Sequence, residues 1–256
     1  MTSSTVVGEA RRALGPVGAF LPVPTTSAPP VDLQRDAVRR LERAGYRAAW
    51  TNETVGGKDA LVQLAVLMAA TERMVFGTGI ANIWARSPQT AHGASALLAQ
   101  AYPGRFVLGL GVGYPQQAAS VGREFGSPVA TMRDYLNRMG APTQLPAPDV
   151  AYPRIIGANG PKMLALAGEI TDGALPAMQP PEFTAQARQV LGPDKLLVIF
   201  MHATTGQGDA SATMATVREH LAAGADHVLL GQPIGTDVTA GVNHLEQLAP
   251  ALAELP

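Results

Sequence analysis

Three glycines, Gly109, Gly111 and Gly113, interrupt the end of an apolar stretch that begins at Phe106. A run without polar alternation predicts a strand that is buried on both faces, as in a parallel sheet covered by helices. Glycine weakens a strand, so three of them indicate that another backbone or a flat ligand approaches closely. A crowded corner of a barrel is the alternative, and these residues alone leave both explanations open.

Polar side chains follow other apolar stretches. Glu53 is a candidate for orienting a cofactor or accepting a proton, although a glutamate at a strand end also pairs with arginines. Tyr114 is a candidate hydrogen-bond donor to a developing charge or a packed loop residue, and His202 is a candidate acid or base or a satisfied core histidine. Trp84 and Arg86 are candidates for contact with a substrate, and Trp84 is equally a candidate for fastening its own loop.

The stretch 157–162 predicts an anion site. Gly157, Ala158, Asn159 and Gly160 precede a helix that begins near Pro161, and Lys162 lies in its first turn. Unpaired N–H groups at a helix start, the positive end of the helix dipole and a lysine together suit a phosphate. An ordinary proline-led helix start with an exposed lysine is the alternative.

Eight apolar strands that alternate with helical stretches would position these residues. The strands are predicted at 17–21, 47–51, 74–80, 106–113, 154–156, 173–177, 196–202 and 227–230. This alternation predicts a (β/α)8 barrel, a TIM barrel, formed by one domain over residues 1–256. A doubly wound sheet is the competitor, but its usual single glycine fingerprint is not found. The candidates lie at strand exits, where barrels of this kind bind ligands.

Two segments are predicted to lie outside this pattern. Residues 1–15 are expected to form a frayed start. Residues 142–153 contain four prolines and predict a connection or a lid, because no core helix accommodates them.

Composition narrows the functional classes. A net charge of −1 without blocks of like charge argues against a nucleic-acid partner, and the absence of cysteine excludes disulfides, thiolate metal sites and cysteine nucleophiles. The five histidines lack metal-ligand spacing, so we expect no metal. The apolar run 60–70 is too short to span a bilayer, and residues 1–15 lack the apolar core of a signal peptide. We therefore expect a cytoplasmic protein.

Several motifs resemble one family. Leu64, the stretch Ala70-Thr71-Glu72-Arg73, the stretch Gly77-Thr78-Gly79-Ile80, Pro88 and the run 104–112 resemble the bacterial luciferase-like monooxygenase superfamily. Residues 80–88, with Asn82, Arg86 and Pro88, and residues 127–136 are similar to its actinobacterial subgroup of coenzyme F420-dependent oxidoreductases. Residues 160–173 match a later unit of the superfamily. These motifs separate deazaflavin users from FMN users poorly.

The resemblance implies a barrel that binds a flavin or deazaflavin at its carboxyl face. A non-prolyl cis peptide would lie behind the ring at Gly79–Ile80, and the cofactor phosphate would lie near Ala158, Asn159 and Gly160. The cofactor-binding candidates are therefore Asn52, Gly79, Ile80, Asn82, Gly111, Gly113, Gly157, Ala158, Asn159, Gly160 and Lys162. The resemblance also implies a homodimer formed through outer helices.

Two departures from the family pattern bear on catalysis. Relatives often have a histidine where this chain has Thr54, and a histidine or glutamate where it has Tyr114. Our hypothesis is hydride transfer between coenzyme F420 and a small organic substrate. The alternatives are an FMN-dependent monooxygenase that uses molecular oxygen, and a flavin- or deazaflavin-binding protein without turnover.

Overall fold

The computed structural model describes residues 3–204 and 209–255, and its strands form a closed parallel barrel. The strands are Val17–Phe20 (β1), Ala48–Thr51 (β2), Val75–Thr78 (β3), Ala81–Asn82 (β4), Phe106–Gly111 (β5), Arg154–Gly157 (β6), Gly173–Leu175 (β7), Leu196–His202 (β8) and His227–Gly231 (β9). Neighbours follow the order β3-β2-β1-β9-β8-β7-β6-β5, and β3 pairs with β5 to close the ring. Because β4 continues the position of β3, the barrel has eight strand positions, and the predicted fold is confirmed.

Helices separate the strands and cover the barrel. They are Ser3–Leu14 (α1), Val31–Arg43 (α2), Ala60–Met68 (α3), Pro88–Ala101 (α4), Pro115–Ala119 (α5), Pro128–Met139 (α6), Pro161–Ile170 (α7), Pro181–Leu191 (α8), Asp209–Ala222 (α9) and Val238–Leu252 (α10). Helices α4 to α8 each begin with proline, which needs no N–H partner in the first turn. Among the described helices, none is long and apolar enough to cross a membrane.

Two separate apolar clusters show which way the strand residues point. Trp50, Leu175, Val198 and Leu229 belong to the cluster inside the barrel, whereas their chain neighbours pack outward against the helices. Side chains alternate between the faces of a strand. This alternation directs Asn52 into the mouth of the barrel and Glu53 away from it.

The predicted frayed start is wrong, because residues 3–14 form α1. Val7, Ala10 and Leu14 recur at helical spacing and join the apolar cluster inside the barrel. Arg11 fastens the helix by an ion pair of 3.0 Å with Asp226. The helix ends at Gly15, whose φ of +69° favours glycine. Helix α1 therefore closes the amino-terminal end of the barrel, opposite the predicted site.

The prediction of a lid at 142–153 is also wrong, although the prediction of a connection is confirmed. The segment leads from the end of α6 to the first residue of β6. Its first part, with Pro142, Leu145 and Pro148, borders a cleft with Gln89 and Leu97, so it packs along the outside of α4. Its last part, with Asp149 and Tyr152, borders a cleft of about 630 Å³ together with Val6 and Glu9 of α1. The segment therefore lies outside the helix layer and at the amino-terminal end of the barrel rather than over the mouth.

The predicted element bounds agree with the structure to within a few residues, with two exceptions. The predicted strand 74–80 ends at Thr78 and resumes as β4, because a cis peptide bond interrupts it. The loop after β5 contains the short helix α5, which the sequence does not predict. The sequence also predicts a glycine-rich loop before α9, and residues 205–208 of it lie outside the described residues.

Candidate functional site

The floor of the barrel mouth is aromatic. The ring centroids of Phe20 and Phe200 lie 4.7 Å apart, and the planes are tilted by 57°. Gly231, at the end of β9, lies beside them, and a Cβ atom there would approach the Phe200 ring to 2.4 Å. Only glycine therefore fits at this position with the ring in place. We call Phe20, Phe200, Gly231 and the neighbouring His202 the aromatic sector.

Next to the aromatic sector, the chain turns through a cis peptide bond between Gly79 and Ile80, which the resemblance predicts and the structure confirms. A Cβ atom at Gly79 would lie 3.0 Å from the Phe20 ring, so the turn adjoins that sector. The Ile80 side chain lies across β5 and β6. A Cβ atom at Gly111 would come within 2.6 Å of it, and one at Gly157 within 3.4 Å. The Ile80 side chain therefore occupies the space that side chains at these two positions would need. We call Gly79, Ile80, Gly111 and Gly157 the glycine sector.

A buried ion pair holds this turn in place. Both guanidinium Nη atoms of Arg86 donate to the Glu53 carboxylate, and Arg86 Nη2 also donates to Asp59 Oδ2 at 2.8 Å. Glu53 accepts two further bonds from the backbone N–H groups of Ala60, at 2.9 Å, and Asn82, at 2.8 Å. We call Glu53, Asp59 and Arg86 the clamp. It joins the exit of β2, the start of α3 and the residues after the cis bond.

The clamp bears on the predicted roles of two residues. The side chains of Glu53 and Arg86 are only 2% and 8% exposed, and each is bonded to the other. Burial lowers the pKa of Arg86, but its hydrogen bonds to Glu53 and Asp59 outweigh burial, so the net shift is upward. Because four donors already surround Glu53, the geometry favours a positioning role over proton transfer. Arg86 is likewise occupied by carboxylates rather than directed at a substrate.

A second network fastens the exit of β5 to the turn. Asn82 is fully buried and donates from Nδ2 to Gln117 Oε1 at 3.1 Å. The Trp84 indole N–H donates to the Val112 carbonyl at 2.8 Å. Gly113 has a φ of +56°, and a Cβ there would collide with Gln117. These contacts fit the interpretation of Trp84 as a residue that fastens its loop. The Asn82 amide is bonded at both ends, because its Oδ1 also accepts from the backbone N–H of Trp84.

Tyr114 lies on the rim. Its backbone N–H donates to Gln117 Oε1 at 2.8 Å, and its side chain is exposed, with 72% of the residue surface accessible. Nothing in the described structure directs the phenol into the mouth, so its catalytic role stays a prediction.

Two polar side chains point into the mouth with hydrogen-bonding capacity to spare. Asn52 Oδ1 is buried and has no partner within the described residues. His202 ends β8, and its ring lies edge-on to Phe200, with centroids 5.5 Å apart. No hydrogen bond to either His202 nitrogen is found within residues 3–204 and 209–255. A buried polar atom without a partner is costly, which favours a ligand at Asn52.

The predicted anion site lies at the start of α7. No side chain caps the helix at Gly160, and a Cβ built there would meet no atom within 4 Å. Asn159 Oδ1 accepts from the Ala177 N–H at 2.8 Å, so this amide joins the loops after β6 and β7. Ala158 is buried behind the turn, and Lys162 is exposed. The N-terminus of α7 thus opens to solvent beside the glycine sector.

Lys58, in the loop between β2 and α3, is partly buried. Lys58 Nζ donates to Thr51 Oγ1 at 2.9 Å, and Thr51 donates to Gln63, which in turn donates to Gln34 of α2. Burial lowers the pKa of Lys58 to about 8, and the negative charge of Glu53 partly opposes the shift. Lys58 therefore braces the loop after β2 on the helix side of the sheet.

Comparisons with known proteins agree with this geometry. The model of a family described as "Luciferase-like monooxygenase" matches residues 17–191. A 5,10-methylenetetrahydromethanopterin reductase of Methanolobus tindarius is 29% identical over 169 residues, which cover 58% of this chain and 51% of that protein. A provisionally named coenzyme F420-dependent oxidoreductase of Mycobacterium tuberculosis is 29% identical over 196 residues, covering 64% and 56%. The chain therefore spans about half the length of these relatives.

Solved structures show the same fold. An F420-dependent secondary alcohol dehydrogenase in complex with an F420–acetone adduct superposes with a TM-score of 0.74 at 15% identity. The match covers 93% of this chain and 99% of that chain.

Proposed function

Because the chain belongs to the luciferase-like monooxygenase family, we propose that it is an oxidoreductase that transfers a hydride between coenzyme F420 and a small organic substrate. The observation that carries the proposal is the continuous surface from the cis bond at Gly79–Ile80, across Gly111 and Gly157, to the start of α7. A flat ring needs a smooth surface, which the Ile80 side chain forms here in the space left by Gly111 and Gly157, and a phosphate needs a helix start.

Three features of the chain fit this cofactor. The buried Asn52 Oδ1 lacks a hydrogen-bond donor, which a ring N–H or a hydroxyl of the cofactor would supply. The space at Gly160 admits a group as large as a phosphate against the backbone. Lys162 adds a cation beside it, and a charge-assisted hydrogen bond is stronger than a neutral one.

The protein's own contribution is to position and to shield the reacting groups. A bound deazaflavin supplies hydride chemistry itself. The clamp holds the Ile80 turn rigid, and the aromatic sector excludes water from the floor. His202 is the ionisable side chain at the end of β8 that the alternation of the strand directs into the mouth, and it is our candidate for moving a proton.

Turnover tests the proposal and separates it from its alternatives. We would mix the protein anaerobically with reduced coenzyme F420 and a panel of ketones and aldehydes, and follow reoxidation of the coenzyme. We expect reoxidation that depends on both protein and acceptor. Protein-dependent incorporation of an oxygen atom into the acceptor, with reduced FMN and molecular oxygen in place of reduced F420, would establish the monooxygenase alternative. Tight binding of F420 without turnover across the panel would establish the non-catalytic alternative.

We also propose that the chain forms a homodimer through α3 and α4. These adjacent outer helices contain no Asp, Glu, Lys or Arg, yet Val62 is 64% exposed and Leu97 is 59% exposed. Large apolar side chains exposed on adjacent uncharged helices are typical of a covered interface. We expect Val62→Asp and Leu97→Asp to yield monomers in light scattering, whereas Val190→Asp on α8 leaves the mass unchanged. A monomeric wild-type protein would contradict the dimer.

The cytoplasmic location stays a prediction, and cell fractionation would test it. The same holds for the expectation that the chain does not bind nucleic acid, which a mobility-shift assay would test.

A further inference from the structure

The ionisable groups around the mouth are divided unevenly between the glycine sector and the aromatic sector. Beside the glycine sector, Arg86 is paired with both Glu53 and Asp59, which leaves the clamp with one net negative charge. Lys58 is bonded to Thr51 on the helix side of the sheet. The cation that remains exposed near this side is Lys162, at the proposed phosphate site. Charged groups on this side are thus already paired or assigned to the cofactor.

The aromatic sector carries no fixed charge. Phe20, Phe200 and Gly231 supply carbon surface, and His202 lies next to Gly231 in the register between β8 and β9. The loop after β1, at 22–30, contains prolines, threonines, serine, alanine and valine but no ionisable side chain. Within the described residues, His202 is the ionisable side chain at a strand end on this side of the mouth. Asp237, in the loop after β9, caps α10 by accepting from the Ala240 N–H.

We propose that the aromatic sector is the acceptor subsite and that it selects uncharged carbonyl compounds, with the acceptor oxygen hydrogen-bonded to His202. This inference rests on the proposed function, because it assigns the glycine sector to the cofactor. A carboxylate or ammonium brought onto the aromatic floor would lose its hydration without gaining a counter-ion. An apolar body with one carbonyl group loses little hydration and gains one hydrogen bond.

Three ligands with the same keto-acyl group test the selection: levulinate, its methyl ester and its choline ester. They carry a negative charge, no charge and a positive charge. Binding to the free protein and to the F420-loaded protein would be measured by ligand-observed NMR up to millimolar concentration. We expect the methyl ester to bind about tenfold more tightly than either charged ligand. Equal or tighter binding of a charged ligand, or no binding of the methyl ester to either form, would overturn the proposal.

Two substitutions at His202 test the hydrogen bond. His202→Phe should weaken methyl ester binding about fivefold or more, and His202→Gln, which keeps a donor, should restore most of the affinity. Unchanged affinity in His202→Phe would remove this residue from the subsite. Leu145→Gln is the matched control, because Leu145 is 82% exposed and lies beside α4 on the outside of the barrel.

A gain of binding provides an independent check. Ile234, in the loop after β9, is 73% exposed, so Ile234→Lys adds a cation near the aromatic sector without disturbing the core. We expect levulinate affinity to rise about threefold in low salt, and Leu145→Lys to leave it unchanged. These binding measurements on the free protein do not require turnover. Failure of F420 to bind would therefore refute the proposed function separately from the ligand preference.

Discussion

Glu53 and Arg86 form a bidentate ion pair behind the cis peptide bond, with both side chains more than nine-tenths buried. The pair lies on the helix side of the sheet, next to the Asn82 N–H group that Glu53 binds. From this position the carboxylate holds the backbone after the cis bond and so maintains the shape of the glycine sector. It does not point toward the reacting atoms.

Glu53→Gln should therefore destabilise the protein by about 3 kcal/mol, because it leaves a buried guanidinium with one fewer negative partner. Urea unfolding followed by circular dichroism measures this change. Glu169→Gln is the matched control, since the Arg133–Glu169 pair is exposed to solvent and its loss should change the free energy of unfolding little. If Glu53→Gln abolished turnover but left stability and F420 affinity intact, Glu53 would be a proton-transfer residue instead.

Gly111→Ala should disturb the glycine sector directly. The added Cβ would lie 2.6 Å from the Ile80 side chain, so Ile80 must move away from β5. We expect a loss of roughly 2 kcal/mol in stability from overpacking and weaker binding of F420. Gly140→Ala is the control, because nothing lies within 4 Å of a Cβ there. Equal F420 affinity in the two variants would show that Ile80 does not shape the cofactor site.

Acid should destabilise the protein through His227. This residue is fully buried; its Nδ1 bonds to the Gly15 carbonyl at 2.6 Å, and its Nε2 accepts from the Trp50 indole N–H at 3.2 Å. Burial lowers its pKa to about 4, although the hydrogen bond to Gly15 raises it slightly. The unfolded chain therefore binds the proton first, and stability should fall as pH decreases from about 6.5 to about 4, by about 3 kcal/mol.

The measurement is the free energy of unfolding at several pH values for the wild type and His227→Gln. We expect a shallower pH dependence in the variant. His244→Gln, on the outer helix α10, is the control and should retain the wild-type slope. Parallel curves for the wild type and His227→Gln would assign the acid sensitivity to other groups.

Leu14→Ala tests the closing of the barrel by α1. Leu14 is completely buried inside the amino-terminal end, so the truncation should cost about 3 kcal/mol. Leu145→Ala, at an exposed position, should cost little. F420 affinity should not change in either variant, because the proposed site lies at the other end. A loss of affinity in Leu14→Ala would show that the two ends are coupled.

The parts of the fold that sequence could predict are those governed by local patterns. Apolar runs and glycine or proline signals locate the strands and helix starts, and the family motifs locate the cis bond at Gly79–Ile80. The pattern of Val7, Ala10 and Leu14 would also have revealed α1, but the segment lacks a strong start signal. The lid prediction failed because proline content indicates a connection without indicating which surface of the barrel the segment packs against.

The site was predictable only at the level of strand exits. Alternation places Asn52 and His202 inward once the strand bounds are known, but the clamp joins residues that are about thirty positions apart in the chain. Such pairing depends on how the loops fold over the barrel end, so it cannot be predicted from the spacing of residues in the sequence. For the same reason the sequence could not show that Arg86 is buried against carboxylates while Lys162 stays exposed.

The central claim is that the surface from Gly79 to Lys162 binds a deazaflavin. The most direct test is a side-by-side titration of the purified protein with coenzyme F420 and with FMN, followed by ligand fluorescence, in the wild type and in Lys162→Glu. The account predicts micromolar affinity for F420, weaker binding of FMN, and a severalfold loss of F420 affinity in Lys162→Glu. Tighter binding of FMN, or binding of neither ligand, would contradict it.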